Sequence, residues 1–188
     1  MVIRGEPTRS EEAGTLDVLA EAIEAGQDGI EIPPELTEEI GKDEPSAIPE
    51  ALFVRVRHMT VGERLKLALR GNKEARTLLL RDPNRVIVRL VLRNPRITED
   101  EIIGITNNRS IDDEILRMIG ERREWTKNYQ VRAGLVSNPR TPIALAMRFL
   151  PTLDDRDIRR LAKSKNVPEA VAGAARRMVA SRQSRSRQ

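Results

Sequence analysis

Val88-Arg89-Leu90-Val91-Leu92-Arg93-Asn94-Pro95-Arg96 returns further along the chain as Val131-Arg132-Ala133-Gly134-Leu135-Val136-Ser137-Asn138-Pro139-Arg140. The correspondence continues beyond both copies. Thr98 aligns with Thr141, Ile111-Asp112-Asp113 with Leu153-Asp154-Asp155, and residues 115–119 with 157–161, at an offset of 42 to 44 positions. An internal repeat of roughly 40 to 47 residues built from helices implies a stacked α-solenoid, because a single unit cannot bury its own apolar face and its neighbour must cover it.

Around these two stretches the chain reads as short helices with very short punctuation. Thr60-Val61-Gly62-Glu63 and Thr98-Glu99-Asp100-Glu101 are capping boxes, in which threonine and glutamate satisfy each other's end of a new helix. Helices are expected over 60–70, 73–81, 85–93, 98–105, 111–122, 127–136, 141–150 and 153–164, with Ser110 and Thr152 as caps, Thr141-Pro142 opening one helix, and a last helix starting near Pro168. The 85–93 stretch has almost no polar face and fits a buried strand by pattern. Its partner containing Ala133-Gly134 and its helical neighbours favour a buried helix. The apolar helices 84–93 and 141–150 belong inside, the amphipathic ones outside.

The N-terminal fifty residues are different. Thr8-Arg9-Ser10-Glu11 reads as another capping box, and Leu16, Leu19, Ala20 and Ile23 form one apolar stripe on an acidic helix over about 9–25, ended by Gly26 and Gly29. Pro33, Pro34, Pro45 and Pro49 among acidic residues then give 26–50 the composition of a linker. Residues 1–50 hold three basic and fourteen acidic side chains, residues 51–188 thirty basic and fifteen acidic. The organisation expected is a flexible acidic arm (1–50), a basic helical-repeat domain (51–180) and a basic, disordered tail (181–188). Such a body attracts polyanions, or holds its own arm against itself.

Several classes are disfavoured. No apolar run is long enough to span a bilayer, and the N-terminal residues have no secretion-signal pattern, so a cytoplasmic location is expected. The chain has no cysteine, which removes disulfides, thiolate metal sites and cysteine nucleophiles together. His58 stands alone, without the second ligand that a metal site needs. No Gly-rich phosphate loop or nucleophile elbow is present. Neither an enzyme nor a cofactor is expected.

Short helices joined by Asn-Pro turns, with Val88-Arg89 and Val131-Arg132 near helix starts, resemble the leucine-rich-repeat-variant and HEAT-like α-solenoids. Gly71-Asn72-Lys73-Glu74-Ala75-Arg76, Asn94-Pro95-Arg96-Ile97-Thr98 and Ala162-Lys163-Ser164-Lys165-Asn166-Val167-Pro168 are similar to a group of bacterial proteins of this class. The resemblance covers about 60–180 and implies an all-α, short, right-handed solenoid of HEAT/armadillo-like repeats of ~43 residues. It implies no activity. The chain departs from iron–sulfur members of the broader class in lacking cysteine.

Three sets of residues are candidates for binding a partner, each with a structural alternative. Asn72, Asn84, Asn94, Asn108, Asn138 and Asn166 suit left-handed helix ends and caps; stacked in a row, their turns would also carry a ridge of Arg85, Arg96, Arg140, Lys163 and Lys165 facing an anionic partner. Trp125 and Tyr129, the only tryptophan and tyrosine, fill a junction between repeat units or, with Arg122, Arg123 and Lys127, form an interface hot spot. Leu16, Leu19 and Ile23 belong either to a marginal helix on a floppy tail or to a docking helix that lays them into a groove, the chain's own or a partner's. The function expected is a protein-interaction scaffold. The alternative is sequence-nonspecific nucleic-acid binding through the basic face, with only 2% aromatic residues to stack bases.

Overall fold

The computed structural model describes residues 9–38 and 50–185, and among them all regular structure is helical. Compactness divides the chain into two units, Met1–Ile97 and Thr98–Gln188.

The first unit contains α1 (Arg9–Glu24), a 3-10 turn (Pro34–Leu36), α2 (Glu50–His58), α3 (Val61–Arg70), α4 (Lys73–Leu79) and α5 (Arg85–Val91). The Thr60 capping box forms: the Thr60 hydroxyl accepts from the Glu63 amide, and the Glu63 carboxylate accepts from the Thr60 amide at 2.7 Å. Asn72 and Asn84 cap α4 and α5 with the side-chain oxygen alone, which accepts from the Ala75 and Val86 amides at 3.0 and 2.9 Å. The 85–93 stretch is helical, and Val86, Ile87, Val88, Leu90, Val91 and Leu92 are all buried.

The acidic segment belongs to this unit's core. Ala20, Ile23 and Leu36 are buried with Leu65, Leu69, Leu79 and Leu90, and Leu16, Leu19, Ile30 and Ile32 pack against them. Residues 26–38 thus depart from the linker expected of their composition. Leu36 between the prolines is fully buried, and its carbonyl accepts from the Asn72 amide at 2.8 Å. Full burial of a leucine contributes about 1.5–3 kcal/mol, which outweighs the turn-forming bias of its neighbours. Charge acts in the same direction: residues 9–38 hold one basic and nine acidic side chains, and residues 51–97 twelve basic and three acidic. Lys66 pairs with Asp28 at 2.7 Å, Arg93 with Glu24 at 2.7 Å and Arg55 with Glu35 at 2.9 Å. Gly26, with φ at 71°, ends α1 in a conformation open to glycine. Gly29 lies beyond that end. The Thr8 cap, Pro45 and Pro49 lie outside the described residues.

The second unit contains α6 (Glu99–Asn107), α7 (Asp113–Glu121), α8 (Arg123–Thr126), α9 (Tyr129–Ser137), α10 (Ile143–Phe149), a 3-10 turn (Leu150–Thr152), α11 (Asp155–Ala162) and α12 (Glu169–Arg185). The Thr98 capping box forms, but the expected caps Ser110 and Thr152 are displaced by aspartates two residues on. Asp112 accepts from the Glu114 amide at 3.1 Å, while the Ser110 amide donates to Asn108 Oδ1 and the Thr152 hydroxyl to the Phe149 carbonyl. Thr141 does not cap α10 either; it is buried, and Pro142 takes the N-cap position. Trp125 and Tyr129 fall on different helices, with Lys127-Asn128 between them. The apolar α10 is only half enclosed, with Ile143 50% exposed. Residues 181–185, expected to fray, continue α12, and Arg182 pairs with Asp155 of α11. Residues 186–188 lie outside the described residues.

One device recurs inside each unit. The Asn94 carboxamide, 2% exposed, donates to the Ala68 and Gly71 carbonyls at the end of α3 (2.9 and 3.2 Å), while its oxygen accepts from the Arg96 amide at 2.9 Å. The Asn138 carboxamide, 3% exposed, donates to the Thr106 and Asn108 carbonyls at the end of α6 (2.8 and 3.0 Å), while its oxygen accepts from the Arg140 amide at 3.0 Å. The last carbonyls of a helix have no partner within it, and asparagine supplies two donors and an acceptor on one short side chain. No residue other than glycine adopts positive φ among the described residues, so these asparagines work through their side chains and not through left-handed backbone.

Candidate interaction surface

The second unit carries a groove of about 590 Å³ with α9 as its floor. Gln130, Ala133, Gly134 and Ser137 come up from α9; Ile103, Asn107 and Arg109 form one wall, and Asp157, Arg160, Leu161, Ser164, Asn166 and Val167 the other. The floor is low because its side chains are short. Gly134 also lets α9 approach α6: a Cβ there would stand 2.9 Å from the Thr106 Cβ and closer still to the hydroxyl.

Tyr129 fixes one end. Its hydroxyl lies 2.5 Å from Asp157 Oδ2 and 2.6 Å from Asp154 Oδ1, and it accepts from the Asp154 amide at 3.2 Å. A phenol has one proton, so it donates to one carboxylate at a time. Burial, and then the two carboxylates, push its pKa up to about 12. The bond from Tyr129 to Asp157 ties the α9 floor to the α11 wall, and Asp157 also pairs with Arg160 on its own helix at 2.9 Å. Arg109 is exposed and makes no ion pair with a described residue.

The residues singled out in the sequence are distributed as follows. Trp125 is 7% exposed, beneath the Arg122 guanidinium at 4.4 Å from the ring centroid, which makes it a packing residue. Arg123 and Lys127 are exposed beside it, and Tyr129 lines the groove. Ile23 is buried in the first unit with Leu16 and Leu19 packed alongside, so the chain itself occupies all three. Arg96 is exposed, with its guanidinium on the Thr37 carbonyl at 2.6 Å. Arg85 is exposed at the start of α5 in the first unit, while Arg140, Lys163 and Lys165 are exposed in the second. His58 is exposed.

Asn107, Arg109, Gln130, Ser137 and Arg160 were not singled out by the sequence. The signal lay in the repeat: with Asn138 aligned on Asn94, Ala133, Gly134 and Ser137 replace the long side chains Arg89, Leu90 and Arg93. Among the described residues no helix is long and apolar enough to cross a membrane. No family model matches the chain, and no curated protein or solved structure matches it.

Proposed function

We propose that the protein is a non-catalytic interaction scaffold: a short right-handed α-solenoid of HEAT-like repeats, ~43 residues each, that binds another protein in the cytoplasm. The observation that carries this reading is the groove on α9, whose short side chains are flanked by arginines and held in place by the buried wiring of Asn138. The duplicated asparagine bonds support the repeat. Three of the aspartates have structural roles: Asp112 caps a helix, while Asp154 and Asp157 hold Tyr129.

The test is reconstitution. A protein captured by the full chain is purified and titrated back at physiological salt; a complex of fixed stoichiometry supports the scaffold. Association that appears only at low salt, equally with unrelated acidic proteins, counts against it.

A specific observation favours nucleic acid as the second reading. On α11 and α12, Asp155, Asp157 and Glu169 are all paired with arginines, whereas Arg156 and Arg177 on these helices and Lys163 and Lys165 between them are exposed and make no ion pair with a described residue. A random duplex bound with a steep fall in affinity as salt rises would favour that reading.

A further inference from the structure

We propose that the groove on α9 is the docking site for a short acidic amphipathic helix of a partner protein, seated as α1 is seated within the first unit. The proposal rests on the scaffold reading and specifies where and what the scaffold binds.

The two asparagines place the C-caps of α3 and α6, Gly71 and Asn108, in equivalent positions. Asn94 bonds the Gly71 carbonyl and Asn138 the Asn108 carbonyl. The residues just before these four positions are Arg70, Arg93, Asn107 and Ser137. In the first unit this position holds a helix. Arg70 donates to the carbonyls of Ile23 and Glu24 at the end of α1 (3.4 and 2.9 Å), and Arg93 pairs with the Glu24 carboxylate. One turn earlier, Lys66 pairs with Asp28 just past α1. In the second unit the equivalent residues Asn107 and Ser137 line the open groove, as does Ile103, four residues before Asn107. The same pair of helix ends, tied by the same asparagine, therefore presents a helix-holding face in both units.

The substitutions at this face fit a guest from another molecule. Arg70 and Arg93 become Asn107 and Ser137, and Arg89 and Leu90 become Ala133 and Gly134, so this face carries shorter side chains than the one that holds α1. On the walls Arg109 is exposed and makes no ion pair with a described residue, and Arg160 is exposed while pairing with Asp157. The unit as a whole has eighteen basic and twelve acidic side chains. A helix bearing acidic residues, with its negative C-terminal carbonyls toward Arg109 and Arg160, matches this charge. α1 shows the type: one basic and five acidic side chains around a stripe of Leu16, Leu19, Ala20 and Ile23. An isolated helix of this length is marginal in water and folds as it binds, so moderate affinity is expected.

The test uses the isotope-labelled full chain and a synthetic peptide with the sequence of residues 9–27, followed by amide chemical shifts. Saturable shifts at Asn107, Gly134 and Ser137 are expected, with affinity about tenfold or more weaker in Arg109→Glu/Arg160→Glu. Ala133→Trp, which fills the floor, abolishes them while amides elsewhere keep their positions. Shifts confined to α1 and α3 would mean exchange into the first unit and would overturn the proposal. So would equal shifts from a scrambled peptide of the same composition, or shifts produced by a duplex and not by the peptide. A reconstituted partner protein that leaves Gly134 and Ser137 unmoved removes the groove from the account and spares the scaffold; failure of every protein to reconstitute removes the scaffold itself.

Discussion

Asn138 reaches from the turn after α9 to the Thr106 carbonyl of α6, 2.8 Å away and buried, and so binds two helices through one side chain. Asn138→Ala leaves that carbonyl without a donor and the Asn108 carbonyl with only the Ile111 amide at 3.4 Å, at a cost of roughly 1–3 kcal/mol. Asn138→Asp costs at least as much, because a carboxylate cannot donate. Asn108→Ala removes one bond to the Ser110 amide near solvent and costs about 0.5–1 kcal/mol. Urea unfolding followed by Trp125, the only tryptophan, reports on the second unit. Equal losses at Asn138 and Asn108 would contradict the tie.

Gly134 and Gly104 make a second comparison on the same pair of helices. A methyl at Gly134 runs into Thr106, so Gly134→Ala destabilises by about 1–3 kcal/mol despite alanine's better helix propensity. Nothing lies within 4 Å of a Cβ at Gly104, which is exposed within α6. Gly104→Ala therefore stabilises by about 0.5–1 kcal/mol. Melting temperatures that move in the same direction for both would sink the close approach of α9 to α6.

Much of this was legible in the sequence, and the losses have physical causes. The capping boxes at Thr60 and Thr98 form as read, because a cap is local chemistry fixed by residue type at a three-residue spacing. Ser110 and Thr152 fail because Asp112 and the residues around Asp154 start their helices later; a hydroxyl and a carboxylate two residues apart compete, and sequence alone does not rank them. Leu36 lies among prolines and acids, and its burial depends on contacts thirty or more positions away. The stretch at 85–93 was ambiguous between strand and helix until its partner at 131–140 broke the tie. The groove was the least visible feature: Ala133, Gly134 and Ser137 are unremarkable alone and become informative only against Arg89, Leu90 and Arg93.

Asp28 predicts how the first unit responds to acid. The hydrogen bond from the Lys66 ammonium, opposed in part by burial, holds its carboxyl below the ordinary value of 3.8. A depressed folded pKa gives stability that is fully present above the unfolded value and is lost as pH falls through the folded one. The contact between the segment after α1 and α3 should therefore persist at about pH 5 and weaken below about pH 4. Asp28→Asn removes this acid-dependent step and loosens the segment at neutral pH. The methyl resonances of buried Ile23 are the measurement. A wild-type transition that persists unchanged in the variant would assign it to another carboxylate.

Tyr129 predicts the response to alkali, with the opposite sign. Burial and the carboxylates of Asp157 and Asp154 favour its neutral form and push its pKa up to about 12. A raised folded pKa gives stability that is complete below the unfolded value, about 10 for tyrosine, and is lost as pH climbs toward the folded one. The chain has a single tyrosine, so phenolate absorbance reports this group alone. At about pH 10.5 the folded chain should show little phenolate where the chain in urea shows mostly phenolate. Tyr129→Phe removes the hydroxyl that joins α9 to α11, lowering stability at neutral pH by about 1–2 kcal/mol. The gap between wild type and variant then closes as pH rises from about 10 to about 12. A folded-state phenolate that titrates near 10, or a gap that stays constant over this range, would mean that the hydroxyl faces water and not the two aspartates.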